Sequence, residues 1–74
     1  MEKEIITIRE NEEYITLNVL LKITDIIQTG GAAKFYLSEN VVYVNDEKEN
    51  RRGRKLYPGD IVKAENRVFI IQKP

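Results

Sequence analysis

The amino-acid sequence predicts an α+β domain in which two packed helices lie against a small antiparallel sheet. Three observations lead there. β-Branched, partly alternating residues run through Glu4-Ile5-Ile6-Thr7-Ile8-Arg9, a helical period takes over at Leu17, and short β-branched runs separated by turn residues fill the second half. The chain of 74 residues has room for one domain, 1–74, and a domain of that size buries only about 60 % of its unfolded surface. Little apolar material is left over for a deep active-site cavity.

Each element has its own reason. Residues 10–15 are a polar connection ending at Thr16, whose hydroxyl suits the N-cap of a helix. From Leu17 to Gln28, Asn18, Lys22 and Asp25 fall on one narrow stripe, while Leu17, Val19, Leu20, Leu21, Ile23, Ile26 and Ile27 take most of the remaining girth. A helix so apolar needs cover on more than one side, from a second helix and a sheet. Thr29-Gly30-Gly31 is the corner between them: Gly30 suits a left-handed helix end, and Gly31 or Thr29 suits the next cap. Ala32 to Glu39 reads as a two-turn helix with Ala33, Tyr36 and Leu37 on one face and Lys34 and Ser38 on the other. Val41 to Val44 is a strand, followed by an Asn45-Asp46 turn. Pro58-Gly59-Asp60 is a second turn, and Ile61–Ala64 and Arg67–Gln72 form a hairpin through Glu65-Asn66.

Composition excludes several functions. With no Cys and no His, thiolate nucleophiles, the commonest general base and the commonest metal ligands are missing, so no cofactor or metal is expected. No Ser or Thr has an evident base, the N-terminal glutamates show no paired spacing, and Asp60 most naturally bonds amides of its own turn. The longest apolar run, Val68-Phe69-Ile70-Ile71, is far short of the ~20 residues that span a bilayer, and Met1-Glu2-Lys3-Glu4 opens without an apolar signal core. The expectation is a cytoplasmic binding domain, not an enzyme, with no membrane and no small-molecule substrate; a monomer is favoured, the sequence leaving the oligomeric state open.

Lysines and arginines number twelve, as do the acids, for a net charge of zero. The distribution is uneven. Residues 1–13 carry five acids against two bases, and residues 48–55 carry five bases (Lys48, Arg51, Arg52, Arg54, Lys55) against Glu49 alone. Screening over about 8–10 Å lets such regions act independently, so the local patch matters more than the sum.

Two candidate sites follow. Arg51-Arg52-Gly53-Arg54-Lys55 concentrates mutually repelling cations where arriving phosphates would release counterions, and Gly53 lets the backbone bend and approach an anion. The alternative is a solvated hairpin whose arginines pair with local carboxylates. The second candidate is Thr29-Gly30-Gly31 with Lys34, a helix start next to glycines, extended by Lys22 and Asn18; alternatively the glycines only make a tight corner. Phe35 and Tyr57 lie beside cations and are open to either base stacking or packing, while Tyr36 and Phe69 read as core.

Taken in order, Leu17-x-x-Leu20-Leu21, Thr29-Gly30-Gly31-Ala32-Ala33-Lys34, Leu37, Val42-Tyr43-Val44-Asn45 and Pro58-Gly59-Asp60 resemble the RNA-binding domain named after small-subunit ribosomal protein four, the alpha-L motif. The likeness covers about residues 15–63 and is greatest to small stand-alone bacterial members of the YaaA type. It implies two helices and the following loop as an RNA-facing surface on a sheet scaffold. Lys22, Thr29, Lys34 and the loop at 51–55 would make contacts, while Val44, Asn45, Gly59 and Asp60 would be structural. The family's usual Ser-Arg at the second helix start is Thr29-Gly30 here, its usual Gly after that helix is Asn40, and its usual Asn-Gly turn is Asn45-Asp46. The resulting expectation is a module that binds structured RNA, ribosomal RNA or its precursor, in ribosome assembly. The alternative is a protein-interaction module docking through the acidic N-terminal strand or a sheet edge.

Overall fold

The computed structural model describes residues 2–74; Met1 and the side chain of Glu2 lie outside the described residues. Nine elements follow one another: β1 (Glu2–Thr7), β2 (Ile15–Thr16), α1 (Leu17–Ile23), α2 (Ala32–Glu39), β3 (Tyr43–Val44), β4 (Glu47–Lys48), β5 (Lys55–Leu56), β6 (Ile61–Ala64) and β7 (Arg67–Gln72). The α+β class and the two helices agree with the sequence reading, and α2, β6 and β7 begin and end where it put them.

Five strands make one sheet in the order β1-β7-β6-β3-β4, and β2 with β5 forms a separate two-stranded ribbon. The sheet is mixed rather than antiparallel throughout, because β1 runs parallel to β7, from Glu2 opposite Arg67 to Thr7 opposite Gln72. Alternation along Ile5-Ile6-Thr7 fixes which face a side chain takes; it carries no information about the direction of a remote partner. Ile6 and Ile71 face each other toward the helices. Leu17, Leu20 and Leu21 of α1, Ala33 and Leu37 of α2, and Val44, Val62, Phe69 and Ile71 of the sheet form the core.

The first helix is shorter than its apolar pattern. It stops at Ile23, where the Thr24 hydroxyl donates to the Leu20 carbonyl at 2.7 Å. Asp25 then turns left-handed (φ 62°), its amide donating to Lys22 O at 3.1 Å and that of Ile26 to Leu21 O at 3.0 Å. That pair of bonds is a Schellman closure, with Asp25 in the place glycine usually takes. Gly30 therefore does not provide the left-handed helix end expected of it; among glycines only Gly59 has positive φ, at 98°. Ile26 and Ile27 still pack inward, from the turn instead of from a helix.

Turn chemistry otherwise follows the sequence. Asn45-Asp46 and Glu65-Asn66 both take positive φ at two successive residues, the conformation that matches strand twist in two-residue hairpins. Across the Pro58-Gly59 turn, the Asp60 amide donates to Tyr57 O at 2.9 Å and the Tyr57 amide to Asp60 Oδ2 at 2.8 Å. Asn45 Nδ2 reaches Asp60 Oδ1 at 3.1 Å, and Asn45 Oδ1 accepts the Ile61 amide at 3.0 Å. Of the expected strand at 41–44, only Tyr43–Val44 pairs; Val42 is buried and accepts the Glu49 amide instead. Tyr36 ties α2 to the last hairpin by donating to Glu65 Oε2 at 2.9 Å. Partial burial and that carboxylate push its phenol up to about 12.

Candidate nucleic-acid interface

The basic loop is strapped across the start of α1 by main-chain bonds. Ile15 pairs with Leu56 and Thr16 with Lys55, and the strap continues as the Leu17 amide donates to Arg54 O and the Asn18 amide to Arg52 O, both at 2.9 Å. The first amides of a helix lack partners within it. Here the loop's own carbonyls accept two of them. Thr16 does stand at the N-cap, but its hydroxyl donates to Asn18 Oδ1 at 3.1 Å and caps no amide, contrary to expectation. At the tip, the Arg54 amide donates to Arg51 O at 3.1 Å, closing a turn over Arg52 and Gly53.

Glu49 organises the charges. Only 8 % exposed, it accepts the amides of Asn50 and Arg51, Arg51 Nε at 3.0 Å, Arg51 Nη2 at 3.1 Å and Arg54 Nη1 at 2.8 Å. Hydrogen bonding from Arg51, opposed by burial and aided by Arg54, holds its carboxyl at about 2 against an ordinary 4.5. The same pairing raises Arg51. The pairing with local carboxylates that the alternative reading describes thus occurs at Arg51 and Arg54, with one acid shared between two guanidiniums. Arg51 remains open to solvent along most of its side chain, and Arg52 forms no ion pair among the described residues.

An aromatic pair borders the loop. Tyr14 and Tyr57 lie 5.6 Å apart at 48°, and Lys55 Nζ stands 5.0 Å over the Tyr14 ring. Arg51, Gly53, Arg54, Lys55, Tyr57 and Asp60 line an open cleft of about 570 Å³.

The helical corner is a separate cluster. Gly31 is the N-cap of α2 without a side-chain bond, and the carbonyls of Thr29 and Gly30 accept the amides of Ala32 and Ala33 at 3.1 and 3.3 Å. Lys34 and Thr29 are exposed there, and Lys22 is exposed one turn beyond Asn18 on α1. Among the described residues no hydrogen bond or ion pair joins Lys22, Thr29 or Lys34 to the loop; the start of α1, through Leu17 and Asn18, is what bonds to it. Of the described N-terminal acids, Glu4 binds Arg67 at 2.7 and 2.8 Å, and Glu12 lies 3.9 Å from Arg9.

Glu49 is legible as the lone acid of a basic run. Sequence reasoning missed Tyr14, which gives no signal because its partner Tyr57 is remote in sequence.

An S4 domain model matches residues 6–72. Over 53 residues, 72 % of this chain and 75 % of the relative, the sequence is 62 % identical to a Bacillus subtilis (strain 168) protein named "Probable ribosome maturation protein RlbA". Membership thus extends well beyond the motifs at 15–63, through the last strand: the chain belongs to the S4 domain family.

Proposed function

We propose that this domain binds structured RNA, ribosomal RNA or its precursor, during ribosome maturation, through the loop at 51–55 and the exposed surface of α1 and α2. The observation that carries this reading is the preset loop: its main chain is fixed to α1, and its cations outnumber the one carboxylate that holds them. A disordered basic tail would have to be ordered on binding; a fixed loop has lost that entropy already. Recognition rests on backbone geometry, because A-form RNA offers phosphates and 2′-hydroxyls more readily than major-groove base edges. In this reading Lys22, Thr29, Gly30, Gly31 and Lys34 carry a second part of the contact surface, in addition to the loop residues Arg51, Arg52, Gly53, Arg54 and Lys55. The similarity to a protein named for ribosome maturation supports the ribosomal assignment. The role is binding rather than catalysis. Crosslinking the protein to RNA in cells and sequencing the bound fragments should enrich ribosomal RNA or its precursor at a few discrete sites. Uniform low recovery across transcripts, or nuclease-resistant co-purification with one protein instead, would contradict the reading.

A further inference from the structure

We infer that the cleft beside the basic loop receives one unpaired nucleotide of a structured RNA, with Tyr57 as the surface on which its base stacks. This deepens the RNA-binding reading and rests on it. The cleft, at about 570 Å³, is of the size that holds small organic ligands. Its two kinds of lining match the two parts of a nucleotide. Arg51 and Lys55, both exposed, suit the flanking phosphates, and Tyr57 suits the base.

Several details make Tyr57 a prepared platform rather than a loose surface ring. Its amide is fixed by Asp60 Oδ2 at 2.8 Å, and its ring rests against Tyr14 at 5.6 Å. Lys55 stands over Tyr14, while Tyr57 stays 45 % exposed on the cleft wall. The cleft's one acid, Asp60, has both oxygens turned to donors of its own turn region, the Tyr57 amide and Asn45 Nδ2 at 3.1 Å, and the cations Arg51, Arg54 and Lys55 outnumber it in the lining. A Cβ built on Gly53 would meet nothing within 4 Å, so a ligand has open space beside that backbone. A fully paired duplex keeps its bases stacked on one another and has none to place on Tyr57. An extruded or bulged nucleotide does, and aromatic stacking accepts any base.

The test uses the full chain and two RNA hairpins, one carrying a single bulged 2-aminopurine and one without the bulge. Wild type should quench the bulge fluorescence and bind that hairpin the more tightly. Tyr57→Ala should lose the quenching and about tenfold in affinity for the bulged hairpin, with affinity for the other unchanged; Tyr57→Phe should behave as wild type. If the wild-type protein binds both hairpins with steep salt dependence but leaves the fluorescence unaltered, the nucleotide site is wrong and the RNA reading stands. Equal losses for Tyr57→Ala on both hairpins would also overturn the site. Free 2-aminopurine ribonucleotide binding as tightly as the bulged hairpin would show that the cleft takes a small metabolite instead. Failure of wild type to bind either hairpin would remove the RNA reading itself.

Discussion

Arg54 joins loop to helix: its guanidinium Nη1 lies 2.8 Å from Glu49 Oε1, and its own carbonyl accepts the amide of Leu17 at 2.9 Å. A side-chain bond within the loop and a main-chain bond to α1 therefore converge on one residue. The loop's conformation and the helix's start are set together, and Glu49 fixes the positions of the two arginines proposed to meet RNA.

Glu49→Gln separates positioning from charge. The substitution removes a negative charge beside the cations, which on field strength alone would strengthen RNA binding. The geometry predicts the reverse: affinity for structured RNA should fall by about three- to tenfold as the loop loses its preset shape. Stability should fall by about 1–3 kcal/mol, as for other buried charge-assisted hydrogen bonds. Filter binding and urea denaturation measure the two effects, and tighter binding by the variant would refute the positioning role.

Acid should unfold the protein partly through the same group. Because the carboxyl of Glu49 is depressed to about 2 in the fold, its contribution is complete above the ordinary 4.5 and is lost as pH falls through about 2. Glu4, lowered by its bonds to Arg67, contributes in the same direction. Denaturation midpoints of the native protein should decline across this interval, and those of Glu49→Gln should decline less. Identical pH profiles for the two proteins would show that Glu49 is not a source of the acid sensitivity.

Two glycines should respond oppositely to alanine. Gly59 has φ 98°, so Gly59→Ala should cost about 1 kcal/mol or more. Gly30 has neither positive φ nor any atom within 4 Å of an added Cβ, so Gly30→Ala should be neutral or stabilise by up to about 1 kcal/mol. Thermal denaturation checks both. If Gly30→Ala keeps its stability and loses RNA affinity, the glycine serves close approach of the ligand rather than the corner itself.

Much of this architecture is legible in the residues, for identifiable reasons. Pro58-Gly59 and Asn45-Asp46 are local signals whose conformations need no tertiary information, and both turns form as read. The periodicity of Ala33, Tyr36 and Leu37 fixed α2 in the same way. What fails is the part decided by distant contacts. Ile26 and Ile27 continue the apolar pattern of α1, yet a closure at Thr24 and Asp25 breaks the helix while keeping both side chains inside. The parallel direction of β1 depends on β7, more than fifty residues away in a chain of 74. In the candidate site, the clustering of the five loop residues is legible because they adjoin in sequence. The sharing of Arg51 and Arg54 by one buried carboxylate depends on how the loop folds back on itself, and the meeting of Tyr14 with Tyr57 on the pairing of β2 with β5.

The central claim concerns phosphates met jointly by the loop and the helical corner, and the slope of log affinity against log salt measures it most directly. Lys34 and Arg52, one from each region, are exposed and form no ion pair among the described residues, so replacing both by Ala should leave the melting temperature unchanged. Each lost phosphate contact removes about 0.7–0.9 from the slope, so the Lys34→Ala/Arg52→Ala protein should bind structured RNA more weakly with a slope shallower by about 1.5. Superimposable salt titrations for the two proteins would contradict it.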